Sequence, residues 1–269
     1  MDATPRPAVA LTGLSRRFNS LTAVDDLSFE VKPGSIFGLL GSNGAGKTTV
    51  IKMLTTLLPP TLGTASVAGF DIVREPREVR RHIGYVSQML SSDGELTGYE
   101  NLVISAKLYG LSAAERARRI EQSLDFMELS DAAGRLVGHY SGGMIRRLEI
   151  AQSMLHRPAV LFLDEPTVGL DPVARHGVWR HIQNLRDEFD TTVFMTTHDM
   201  DEADQLCETV AFMQRGRLAG LGTPAELKAG VGPQATLDDV FIEMTGSVAG
   251  EAGSYREVRQ VRRTAARLE

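Results

Sequence analysis

The chain has 269 residues and a mass of 29.3 kDa, too long for a disulfide-stapled miniprotein and too short for more than one or two folding units. Hydrophobic residues make up 42% and charged residues 23%, ordinary values that exclude wholesale disorder, and no apolar run reaches the roughly 18 residues that a membrane-spanning helix needs. A net charge of -5 with a single cysteine, Cys207, gives no overall attraction to nucleic acid and excludes an internal disulfide or a cysteine-based metal cluster.

Met1 to Ala10 carries Asp2, Arg6 and two prolines in place of a basic stretch followed by an apolar one. The expectation is a chain without a secretion signal, in a reducing compartment. Apolar runs at Val9 to Leu14, Leu27 to Val31 and Ile36 to Leu40 predict strands, the last ended by Gly41. Gly41-Ser42-Asn43-Gly44-Ala45-Gly46-Lys47-Thr48 then matches G-x-x-x-x-G-K-[ST]. The glycines let backbone donors turn inward around phosphate oxygens, and the helix N-terminus adds partial positive charge. Lys47 reaches the outer phosphates and Thr48 can ligate magnesium. A helix is expected from Lys47 to about Leu57, stopped by Pro59-Pro60. Extended pieces follow at Thr64 to Val67 and Ile83 to Val86.

From Thr97 to Leu155 the spacing turns helical, with capping boxes pairing Thr97 with Glu100 and Ser112 with Glu115. This predicts an inserted helical subdomain over about 97–155. Within it, Tyr140-Ser141-Gly142-Gly143-Met144 precedes a helical run from Ile145 to Leu155, placing a hydroxyl and glycine amides at a second positive helix end. Alone, such a stretch is also common loop and N-cap composition. Strands are predicted at Ala159 to Leu163, Thr191 to Met195 and Thr209 to Met213, alternating with helices such as Val173 to Glu188, whose start is Asp171-Pro172. That alternation implies a parallel sheet. Asp164 and Glu165 follow the first of these strands, at the edge where parallel sheets bind ligands. Asp164 is the candidate magnesium ligand and Glu165 the candidate base for an attacking water. Thr223-Pro224-Ala225-Glu226 opens a short helix, with Gly230 expected to close it. The core is expected to end near Gly246.

Together these segments resemble the nucleotide-binding subunit of ATP-binding cassette (ABC) transporters, from about Leu11 to Met244. The resemblance implies an α/β P-loop NTPase fold with a mixed β-sheet core, an inserted helical subdomain and a short C-terminal extension. Residues 1–246 would be the nucleotide-binding domain and 247–269 a tail. By the same resemblance Ser141-Gly142-Gly143 is similar to the signature motif, Asp164-Glu165 to the end of Walker B, and Gly169-Leu170-Asp171 to the D-loop. Gln88 falls at the Q-loop glutamine, a magnesium and water contact that also senses the membrane partner, and His198 falls at the switch histidine. Phe18 falls at an aromatic that stacks on adenine. The implied nucleotide contacts are Phe18, Gly41, Ser42, Asn43, Gly44, Ala45, Gly46, Lys47, Thr48, Thr49, Ser141, Gly142 and Gly143. Thr48, Gln88 and Asp164 are the implied magnesium contacts, and Glu165, His198 and Gln88 the implied catalytic residues.

Met144 stands where many signatures carry glutamine, which removes a polar side chain but keeps the Ser141 hydroxyl and the Gly143 amide. Tyr140 to Met144, the run Asp164 to Pro172, and Leu237-Asp238-Asp239-Val240-Phe241 look most like the daunorubicin and doxorubicin resistance type. That type implies an ATP- and Mg2+-dependent hydrolase on the cytoplasmic face of the cell membrane. It would energise drug efflux through a separate integral membrane permease and work as a head-to-tail dimer with a second copy. Lipid or polysaccharide export is an alternative. A soluble ABC ATPase acting on nucleic acid is another, disfavoured by the single phosphate loop and acidic balance. A P-loop kinase or GTPase would leave Ser141 to Gly143 and His198 unexplained. In the tail, Arg256, Arg259, Arg263 and Arg267 recur at helical spacing, forming a basic stripe if helical; a solvated chain end is the plainer expectation.

Overall fold

The computed structural model describes residues 6–245; the tail and its arginine stripe lie outside the described residues. The chain opens with β1 (Val9–Phe18) and β2 (Leu21–Val31), joined by a tight turn in which Asn19 takes a φ of 50°, a left-handed conformation that asparagine tolerates. β3 (Ile36–Leu40) runs into α1 (Lys47–Leu54). Next come β4 (Leu62–Val67), β5 (Phe70–Asp71), α2 (Pro76–His82) and β6 (Ile83–Val86). The helices α3 (Gly98–Leu108), α4 (Ala113–Phe126) and α5 (Gly142–Met154) follow and pack on one another. The rest is β7 (Val160–Asp164), α6 (Pro172–Phe189), β8 (Thr192–Thr197), α7 (Met200–Leu206), β9 (Thr209–Gln214), β10 (Arg217–Gly222), α8 (Pro224–Val231) and α9 (Leu237–Thr245).

Two helix ends differ from expectation. α1 stops at Leu54, before Leu57, because the Thr55 hydroxyl donates back to the Ile51 carbonyl at 2.8 Å and Thr56 turns to a φ of 62°. The break therefore precedes the prolines. α8 runs through Gly230 to Val231, and it is the Gly232 amide, bonded to the Lys228 carbonyl at 3.0 Å, that caps it. A helical glycine weakens a helix by about 1 kcal/mol without ending it. The Thr97 capping box forms in full. At Ser112 the hydroxyl accepts the Glu115 amide at 3.3 Å, but the Glu115 carboxylate returns to that hydroxyl and not to the backbone.

A six-stranded sheet has the order β10-β9-β3-β8-β7-β6, and a four-stranded sheet the order β2-β1-β4-β5. In the first, β9, β3, β8, β7 and β6 are parallel, as the strand-helix alternation predicts, and β10 pairs antiparallel at the edge. The second sheet is antiparallel throughout. The two are joined where the Asp25 amide donates to the Gly216 carbonyl at 2.8 Å and Arg217 grips the Asp25 carboxylate.

Successive strand residues point to opposite faces, and β3 shows what this does to the core. Ile36 and Leu40 join an apolar cluster with α3 to α7 and α9, while Phe37 and Leu39 join a second cluster with α1 and the antiparallel sheet. In the second cluster Phe29, Phe37 and Phe194 pack in series, with neighbouring ring centroids 5.1 Å apart at each step. Burying a side chain of this size contributes about 1.5–3 kcal/mol. The central sheet is thereby clamped from both sides, and its carboxyl edge becomes a rigid platform.

Candidate functional site

Along that edge β3, β8, β7 and β6 are consecutive neighbours. The segments leaving them carry the glycine-rich loop, His198, Asp164-Glu165 and Gln88. Residues far apart in the chain thus open side by side, at the end of the sheet where open parallel sheets bind ligands.

The loop after β3 is held from outside. Gly44 and Gly46 take φ values of 81° and 108°, where glycine alone is unstrained. A Cβ on Gly46 would also collide with the Ala23 carbonyl oxygen of β2. Gly46 sits at the N-cap of α1 without a side-chain cap, so the first amides of that helix face the loop with their partial positive charge. Lys47, 5% exposed, curls back across the loop. Its Nζ donates to the Gly41 and Ser42 carbonyls at 2.7 and 3.2 Å and pairs with Glu165 Oε1 at 3.3 Å.

β7 ends in two carboxylates with different surroundings. Asp164 is buried and accepts from the Thr48 and Thr196 hydroxyls at 3.2 and 2.6 Å. Glu165 departs from the strand at a φ of 49°, a conformation uncommon outside glycine, asparagine and aspartate. Its amide stays anchored to the Thr196 carbonyl and hydroxyl, each at 3.1 Å. The turn breaks the strand alternation, so that both carboxylates serve the same edge. Glu165 Oε1 meets Lys47, and Oε2 meets His198 Nδ1 at 3.1 Å. His198, just past β8, has a side chain that is 46% exposed. The charge of Asp164 reaches further: burial first, and then Asp164, push the Tyr85 phenol on β6 up to about 12.

Thr48 and Asp164 present hard oxygens at hydrogen-bond separation. This donor set fits Mg2+, which takes one or two protein oxygens and fills its octahedron with phosphate and water. Gln88, the third residue expected there, has an exposed side chain, and its main-chain carbonyl accepts from Arg146 Nη2 at 2.9 Å.

Ser141, Gly142 and Gly143 lie apart from this group, at the start of α5. Ser141 Oγ accepts the Met144 amide at 3.3 Å. A Cβ on Gly143 would come within 2.8 Å of the Ala174 Cβ, so glycine lets α5 approach α6 this closely. The Met144 side chain packs on the helix-side core, which gives its apolar character a structural use. Phe18, at the end of β1, is 40% exposed, and the Arg16 guanidinium sits 4.6 Å from its ring centroid.

Sequence reasoning passes over Thr196, Arg146 and Glu149. A threonine inside the apolar run of β8 is a weak signal that something polar must be satisfied there. For Arg146, the first of two adjacent arginines, the sequence offers no signal.

Residues 24–168 match the family described as ABC transporter. The chain is 47% identical over 232 residues to the daunorubicin/doxorubicin resistance ATP-binding protein DrrA of Streptomyces peucetius, which covers 86% of this chain and 70% of that protein. It is 42% identical over 214 residues to the Nod factor export ATP-binding protein I of Burkholderia thailandensis, covering 80% of this chain and 70% of that one. Among solved structures, the ATP binding subunit of an ABC transporter superposes with a TM-score of 0.78 at 29% identity, covering 88% of this chain and 99% of that one. The cbiO1 protein of Clostridium perfringens, described as part of the ABC transporter complex cbiONQ, gives a TM-score of 0.76 at 26% identity, covering 83% and 91%.

Proposed function

The chain belongs to the ABC transporter family as an ATP-binding subunit, and from that membership we propose that it powers export of a drug-like compound through a separately encoded membrane protein. It is an ATP hydrolase coupled to transport. Gly41 to Thr49 hold the phosphates, with Lys47 on the outermost ones. Thr48 and Asp164, joined by Gln88, would hold Mg2+, which would supply charge neutralisation to the phosphates. Glu165 orients the attacking water and takes its proton. His198 steadies the Glu165 carboxylate and faces the terminal phosphate. Phe18 stacks on the base.

Ser141 to Gly143 act in trans. Two helix N-termini, α1 of one copy and α5 of another, converge on one triphosphate when the copies meet head to tail, and nucleotide binding then stabilises the closed pair. Hydrolysis removes that bridge, and the opening passes to the membrane protein through the segment after β6 and the helices at 97–155, which act as a subdomain of a nucleotide-binding unit spanning 1–246. Met89 and Leu90, 81% and 51% exposed directly after Gln88, support that contact. Among the described residues no helix is long and apolar enough to cross a membrane, and the place of work we assign is the cytoplasmic face of the membrane, beside the partner. The 42% identity to a Nod factor export protein supports a second reading, export of a lipid or polysaccharide.

The observation that carries the reading is Glu165 held between Lys47 and His198 beside the Thr48–Asp164 contact. Glu165→Gln should keep ATP affinity, lower turnover by at least about 100-fold and accumulate a closed dimer in light scattering with ATP and magnesium. Near-normal turnover in that variant removes Glu165 from the role. Drug accumulation in cells expressing the chain with its membrane partner, compared with lipid and polysaccharide release, decides the cargo.

A further inference from the structure

α5 carries a charge pair that the hydrolytic site does not use. Arg146 and Glu149 are 2% and 4% exposed and meet at 3.1 Å across one turn of the helix. Both reach out of α5 to the same stretch of chain beyond β6. Arg146 Nη1 donates to the Ser87 carbonyl at 2.7 Å and Nη2 to the Gln88 carbonyl at 2.9 Å. Glu149 Oε1 accepts from both the amide and the hydroxyl of Ser91. The pair therefore holds Ser87–Ser91 at both ends while Gln88, Met89 and Leu90 between them stay exposed.

Core stability alone does not account for this arrangement. Replacing a buried ion pair with apolar side chains of the same volume is often neutral or stabilising. An apolar pair, however, offers nothing to two backbone carbonyls and an amide, whereas a planar guanidinium with several donors matches adjacent carbonyls directly. The neighbouring Arg147 turns away, donating to the Met127 carbonyl at 2.7 Å. Burial holds the Arg146 guanidinium below its ordinary range, and the charges of Glu149 and Asp164 pull the other way.

We propose that Arg146 and Glu149 are positioning residues for hydrolysis, locking the Gln88 main chain to the helix that bears Ser141 to Gly143. The glutamine that serves one nucleotide site and the signature amides that serve the other then move as one body. This rests on the hydrolytic reading above, and the test separates the two.

The test uses the full-length chain carrying Arg146→Met with Glu149→Met, which removes both charges at similar volume, alongside Gln88→Ala and the three changes combined. ATP affinity of the double-methionine variant, read by equilibrium titration with a fluorescent ATP analogue, should stay within about twofold of wild type, because Lys47, the loop and the Gln88 side chain are untouched. The kcat should fall about tenfold in the double-methionine variant and comparably in Gln88→Ala. The combined variant should fall no further than the worse of the two, since groups acting through one another are not additive. A merely structural role predicts multiplied losses. Multiplied losses, or unchanged kcat in the folded double-methionine variant, overturn the proposal. Should that variant not fold, Arg146→Lys keeps the charge without the planar fork; it should lower kcat severalfold and speed amide exchange over 87–91, and wild-type kcat with wild-type exchange there overturns the proposal equally. Wild-type protein that neither binds nor hydrolyses ATP would instead sink the hydrolytic reading itself.

Discussion

Lys47 and Glu165 meet as a buried ion pair at 3.3 Å, and neither is spare. The ammonium also closes on the Gly41 and Ser42 carbonyls, so phosphate oxygens entering the loop compete for donors that are already in use. In the proposed reading, phosphate oxygens carry full negative charge where the two carbonyls carry only a dipole, so the exchange would favour the nucleotide and free the Glu165 carboxylate to turn to water. Lys47→Ala should therefore weaken ATP affinity itself by at least about tenfold, leaving Glu165 with His198 as a remaining partner. Equilibrium titration checks this, and unchanged affinity would count against the loop as a phosphate cradle. Lys47 is legible in the sequence because the loop's chemistry is packed into eight consecutive positions after an apolar strand, and Glu165 because it follows directly on another apolar strand. Thr196 is not, since its use depends on β8 lying beside β7 with Asp164 opposite Thr196.

At the scale of the element, helix starts follow local chemistry and helix partners do not. Asp171 caps α6 ahead of Pro172, Thr97 caps α3 and Thr223 caps α8, each as the side-chain spacing predicts. Thr97→Ala should destabilise the protein by about 1 kcal/mol, visible as a lower midpoint in urea unfolding with an unchanged slope; no change would show that the isolated bridge from Thr97 to Leu136 suffices to hold the start of α3. α2, α7 and β10 escape the sequence reading because they are short, and their apolar residues too few to set a period. The split of the strands into two sheets escapes it for another reason. β1 and β2 read as ordinary half-buried strands, and only the pairing of β1 with β4, with β2, β3 and α1 between them in the chain, shows that they leave the parallel sheet.

Over the whole molecule, stability and acidity are linked through buried imidazoles. Burial first, and then the Arg147 and Arg180 guanidiniums, hold His181 on α6 below its ordinary range, against the opposing pull of Glu128. An unfolded chain takes up this proton near pH 6.5 while the folded one resists it, so its contribution is complete above that pH and is lost as the pH falls. Melting temperature should fall between pH 7.5 and 5.5, and more shallowly in His181→Gln; an identical slope in that variant would place the acid sensitivity elsewhere. The overall architecture was legible at this scale, since apolar runs alternating with capped helices admit few arrangements. The grip of α5 on the segment after β6 was not, because it joins residues roughly 60 positions apart through a register that no local pattern encodes.

The adjacency of β3, β8, β7 and β6 has a bearing on biosynthesis. The glycine-rich loop emerges from the ribosome early, but Thr196 and His198, which seat the two carboxylates, are made only after the carboxylates themselves. A nascent polypeptide halted before β8 can hold a glycine-rich loop and both carboxylates and still lack the Thr196 and His198 contacts that seat them; in the proposed reading it would bind phosphate groups before it could hydrolyse them.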